Sequence, residues 1–224
     1  MSNVQIFVEG VADQKFFQDL IHEWYGLKLS KGKFAEKNTR VEAGDIFDMG
    51  GQDSFADPIR MNLLSPIIQT LRIEEIPMLV IFDADEYIVK QPDIDMFCQE
   101  QGFSYFLLPF NGTHSDADKN DGDLETLLQE VICPDNQIIF DCWQTYEQCL
   151  ATKKALNTAS GAFTLPARKT KIYAYLEALL GETKTQKKLI KEEHRDYRNK
   201  KHWNLDPAHP ALKPLKEFLD PFFS

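Results

Sequence analysis

The 224-residue chain carries 35 acidic against 25 basic side chains, a net charge of −10, with 43% apolar residues and 16 Phe. A chain of this size removes roughly 70% of its unfolded surface from water, and its composition excludes a disordered or low-complexity protein. The acidity speaks against a nonspecific coat on nucleic acid, and no run of 18 apolar residues is present to span a membrane.

Val4 to Val8 is an apolar, β-branched run that stops at Glu9-Gly10, the pattern of a strand closed by a turn. Phe16, Phe17, Leu20, Ile21 and Trp24 then recur at helical spacing and predict a helix over 13–24. Residues 26–44 are polar, basic and poorly periodic, an excursion of loops with room for a short hairpin. Ile46 to Met49 predicts a second strand, closed by Gly50-Gly51. Ile59, Leu63, Ile67 and Leu71 mark a helix over 58–73, with Pro58 in its first turn. Met78 to Phe82 is an almost wholly apolar run, as expected of a central parallel strand covered on both faces. A short helix over 94–101 and a strand over 103–110 follow. Strand and helix alternating in this rhythm predict a parallel sheet with right-handed crossovers. Beyond the polar loop 111–121, helices are predicted at 122–132, 136–157, 166–180, 184–200 and 209–220. The expected fold is α/β: a parallel four-stranded sheet flanked by helices over 1–110, with an acidic loop and a mainly helical part over 111–224 packed on it.

The start of the chain lacks a basic segment and places Glu9 where a signal peptide is apolar, so a cytoplasmic protein is expected. Cys98, Cys133, Cys142 and Cys149 show no CxxC spacing, and the five histidines form no ligand pattern. Scattered cysteines of this kind are read as small buried hydrophobes rather than as zinc ligands or disulfides.

In open parallel sheets, ligands sit outside the carboxyl ends of the strands. The first strand places Glu9 there, and the run Met78–Phe82 places Asp83 and Asp85 there. Side chains alternate along a strand, so the turn must bend to aim both carboxylates of Asp83-x-Asp85 at one volume. Three anionic groups crowded together repel unless a hard cation neutralises them, which is the reason to expect Mg²⁺ or Mn²⁺. The competing reading of Asp85 is a helix N-cap.

At these residues the sequence resembles the Toprim superfamily, the domain shared by topoisomerases, bacterial primases and several nucleases. The matching motifs are Val8-Glu9-Gly10 after the first strand and Ile81-Phe82-Asp83-Ala84-Asp85 after a later one. Glu9-Gly-Val-Ala-Asp13 further resembles nucleases of the overcoming-lysogenization-defect type, in which an acid four residues after the Glu helps hold a second metal. Four residues is about one helical turn, so Asp13 can face the same pocket. The layout is also similar to small stand-alone prokaryotic Toprim proteins, through Gly122-Asp-Leu-Glu125 and the stretch from His202-Trp-Asn-Leu-Asp206 to Phe218. The superfamily resemblance covers about residues 3–110, and the narrower one covers nearly the whole chain.

The resemblance implies metal-dependent cleavage of nucleic acid, with Glu9 as metal ligand or general acid/base. Asp83 and Asp85 would hold one ion, and Asp13 and Glu125 a second. Asp116-x-Asp118-x-Asn120 imitates an EF-hand, but glycine falls at the seventh position and Leu127 at the twelfth, which excludes one. The loop around it reads as solvated, or as a lid bringing Asp123 or Glu125 to the pocket. Residues 166–201 hold 11 basic and 5 acidic side chains, a local +6 that leaves −16 elsewhere. Arg168, Lys169, Lys171, Lys187, Lys188, Lys191, Arg195 and Arg198 are the candidates there for phosphate contacts. The expected partner is nucleic acid, with a protein partner or a homo-oligomer left open. The second functional reading is a non-catalytic metal-binding module that recognises nucleic acid or a protein. A topoisomerase would need gate domains, and a primase a zinc-binding module. A haloacid-dehalogenase phosphatase usually continues its Asp-x-Asp with Gly-Thr, where Glu86-Tyr87 stands here. A glycosyltransferase would place its nucleotide-sugar strand where Val-Glu-Gly stands.

Overall fold

The computed structural model describes residues 4–35, 39–51, 55–156 and 164–224, with 153–156 described as backbone only. The strands are β1 (Gln5–Val8), β2 (Lys31–Phe34), β3 (Val41–Glu42), β4 (Ile46–Asp48), β5 (Met78–Asp83) and β6 (Ser104–Leu108). They form one sheet in the order β3-β2-β4-β1-β5-β6. The expected four-stranded parallel sheet is therefore corrected to a six-stranded mixed one. Its block β4-β1-β5-β6 is parallel throughout, and β2 extends it in parallel while β3 pairs antiparallel with β2.

Alternation along the strands divides the core into two layers. Ile6, Val8, Leu79, Ile81, Phe106 and Leu108 point to one face, and Phe7, Val80, Phe82 and Leu107 to the other. The second face is covered by α2 (Pro58–Ile73) and α3 (Tyr87–Gln101), through Leu64, Ile68, Ile94 and Cys98. The first is covered by α1 (Val11–Tyr25), α4 (Leu124–Glu130), α6 (Arg168–Leu180) and α8 (Lys213–Phe223). Leu127, Ile172, Trp203 and Leu219 thus share a single apolar cluster with β1 and β5. At about 25 cal/mol per Å² of buried apolar surface, that shared cluster binds the helical half to the sheet. Among the described residues the remaining α-helices are α5 (Gln137–Leu156) and α7 (Lys184–Leu189). Among the described residues no helix is long and apolar enough to cross a membrane.

Two helix expectations are corrected. The helix expected over 94–101 begins seven residues earlier, at Tyr87, and runs through Pro92. The N–H groups of Val89 and Lys90 close its first turn on the Glu86 carbonyl. The helix expected over 184–200 stops at Leu189. Beyond it the backbone turns so that Arg195, 1% exposed, donates from Nε to the Ile190 carbonyl (3.0 Å) and stacks on Tyr173.

Candidate functional site

Val8 pairs with Ile81, so the first residue past β1 stands beside the end of β5. Glu9 Oε2 accepts the Asp83 N–H at 3.0 Å and ties the two strand ends together. Asp83 Oδ1 in turn accepts the Leu124 N–H at 2.9 Å, at the first turn of α4. Helix N-termini present such unpaired donors and favour negative charge. Asp13, in the first turn of α1, accepts the Gly10 N–H at 2.9 Å. Glu125 lies in the first turn of α4 and is buried.

Glu9, Asp13, Asp83 and Glu125 all line one cleft of about 390 Å³, together with Asp48, Lys169 and Glu192. Four segments spread from residue 9 to residue 125 converge there. A larger cleft of about 450 Å³ lies beside Trp24 and Trp203, but its cations Arg198 and Lys200 are paired with Asp19 and Glu23.

Burial and mutual repulsion disturb the acids of the smaller cleft. Desolvation raises Asp13 to about 8, reinforced by the charges of Glu9 and Glu125. Desolvation likewise raises Asp83 to about 9, with Asp13 and Glu9 adding to it. Glu9, Asp48 and Glu125 are pushed upward as well, in each case chiefly by burial. An oxygen-only set of acids that resists ionising together is what a hard divalent cation relieves. Glu9, Asp13 and Asp83 each engage a backbone N–H with one oxygen, and a carboxylate has a second to offer. Among the described residues no three acids, histidines or cysteines are already drawn together as a ready-made ion site.

Asp85 lies apart from this lining. Its backbone is left-handed (φ 51°), and its N–H and carbonyl form a bridge with Gly122 at 2.7 and 3.0 Å. Its carboxylate, more than half exposed, stands 3.8 Å from the Lys90 ammonium. Lys90 also lies 3.6 Å from Glu9 Oε2 and donates to the Asp83 carbonyl. Asp123, the alternative ligand, instead caps α4 by accepting the Thr126 N–H (2.8 Å), and it pairs with Arg168.

The basic stretch does not act as one patch. Arg168 and Lys169, at the start of α6, border the acids, Lys169 through its ion pair with Glu192. Lys171 lies over the Phe140 ring. Lys187 and Lys188 are exposed on α7, and Lys191 is exposed just beyond it. Arg195 is buried, and its charge acts from inside on Glu125 of the cleft.

Asp48, Lys90 and Glu192 were not singled out by the sequence. Asp48 ends β4 before Gly50-Gly51, a strand-end acid of the same kind as Glu9. Lys90 was hidden by the misplaced start of α3. Glu192 carries no comparable signal.

Residues 3–224 match the family described as "Protein of unknown function (DUF3226)". The chain belongs to that family. No curated protein and no solved structure matches it. For a DUF3226 chain, the acids of this cleft are the chemistry from which a function can be argued.

Proposed function

We propose that this chain is a Toprim-like, Mg²⁺- or Mn²⁺-dependent enzyme that cleaves phosphodiester bonds in nucleic acid. The observation that carries the reading is the convergence of Glu9, Asp13, Asp83 and Glu125 in one cleft at the carboxyl edge of the sheet. Asp13, Asp83 and Glu125 are the residues that would hold the ion, closing on it by side-chain rotation. Bound there, a divalent cation supplies charge neutralisation and polarisation of the phosphate. Glu9, raised by burial, is suited to taking a proton from the attacking water and delivering it to the leaving oxygen. Arg168 and Lys169 at the rim orient the phosphodiester backbone.

The test is cleavage of mixed DNA and RNA substrates with Mn²⁺ and then with EDTA, for wild type and Glu9→Gln. Wild type should cut only with the ion, and Glu9→Gln should fold normally yet lose about 10²- to 10⁴-fold in rate at every Mn²⁺ concentration. Metal-dependent binding without cleavage by wild type would replace the enzyme by a recognition module. Near wild-type cleavage by Glu9→Gln would move the proton-transfer role to another residue.

A further inference from the structure

Lys90 carries its charge into the acidic edge of the sheet from α3, on the side away from Asp13 and Glu125. Its side chain is about 15% exposed, low for a lysine, which usually keeps its ammonium in water. The ammonium stands 3.6 Å from Glu9 Oε2 and 3.8 Å from Asp85 Oδ2, donates to the Asp83 carbonyl, and lies over the Phe82 ring. Two carboxylates and a carbonyl oxygen are the donor types a divalent ion would collect at this spot. The chain has filled it with a cation of its own. Asp85 is held to that side by the bridge of its backbone to Gly122.

We infer that Lys90 is a tethered stand-in for one metal ion, so that the chain as built takes a single divalent cation, on the Asp13–Asp83–Glu125 side. The inference rests on the metal reading proposed above and fixes its stoichiometry. Glu9 is shared: one flank faces the lysine and the other faces the cleft. With the ammonium present, a second divalent ion between Glu9 and Asp85 meets like charge at close range. With it absent, the same oxygens become an open site.

The experiment counts Mn²⁺ bound per full-length chain, without nucleic acid, by the loss of the free-ion magnetic resonance signal and by calorimetry. Wild type should bind one ion, and Lys90→Gln two. Lys90→Arg, which keeps the charge, should bind one, and Lys90→Gln with Asp85→Asn should return to one. Lys90→Met, whose stem still covers Phe82, replaces Lys90→Gln if that variant does not fold. Two ions in wild type, or one in both wild type and Lys90→Gln, would overturn the inference and leave the metal reading standing. No ion in either protein would remove both.

Discussion

Replacing Asp83 by Asn should make the metal-free protein more stable at alkaline pH while removing its response to metal. The Asp83 carboxyl is raised from 3.8 to about 9, first by desolvation and then by Asp13 and Glu9. A raised carboxyl binds its proton more tightly in the folded than in the unfolded chain. Its stabilising contribution is therefore fully present below pH 3.8 and is lost as pH climbs toward 9. At 1.36 kcal/mol per pH unit, a group kept neutral in the fold at pH 7 forfeits at most about 4 kcal/mol. Side-chain rotation and water entering the cleft lower that to about 2 kcal/mol. Asn keeps the Oδ1 acceptor for the Leu124 N–H and carries no charge, so its penalty does not grow with pH. For a chain of this length 2 kcal/mol is about 4–8 °C in Tm. The assay is thermal unfolding in EDTA from pH 5 to 8.5, repeated with Mn²⁺. Wild type should fall with rising pH and recover with the ion, and Asp83→Asn should fall less and recover little. Because Asp13 is raised as well, some slope remains in the variant. A flat wild-type curve, or two parallel curves, would refute the reasoning.

Other variants separate the basic residues by their surroundings. Arg195→Ala should lower stability by about 3 kcal/mol in urea unfolding, since it removes a buried guanidinium stacked on Tyr173 and bonded to the Ile190 carbonyl. Lys188→Ala, exposed on α7, should stay within about 0.5 kcal/mol of wild type. Replacing Arg168 and Lys169 together should flatten the salt dependence of nucleic-acid binding by about one to two units of slope in a titration at several salt concentrations. An unchanged slope would take α6 out of the interface.

The sequence makes β1 and β5 legible because both are buried on both faces, and a continuous apolar run is the trace this leaves. β2 leaves no such trace: Lys31-Gly32-Lys33-Phe34 offers a single apolar side chain, at its end. It is a strand because Gly32 lets the chain pass close to its neighbours, where a Cβ would come within 2.7 Å of the Phe47 ring and 2.8 Å of the Gly44 nitrogen. Glu9 and Asp83 are readable as strand-end acids. That Asp85 parts from them is not, since it depends on one left-handed backbone angle fixed by a bridge to a loop 37 residues away. The helix expected over 94–101 leaves out the first two turns of α3, Tyr87 to Asp93, and with them Lys90. Arg195 shows the same limit. A basic residue in a basic run reads as surface, and only the rings and carbonyls gathered around it reveal that it is inside.

Because Glu125 and Lys169 complete a cleft begun by Glu9, the order of synthesis matters. A nascent chain that has emerged through β6 already carries Glu9, Asp13 and Asp83 but neither α4 nor α6. The apolar cluster that seats those helices extends to Leu219 of α8. The acids gathered in the cleft therefore meet only once α4 has packed on the sheet, and a chain halted after β6 would hold Glu9, Asp13 and Asp83 without Glu125.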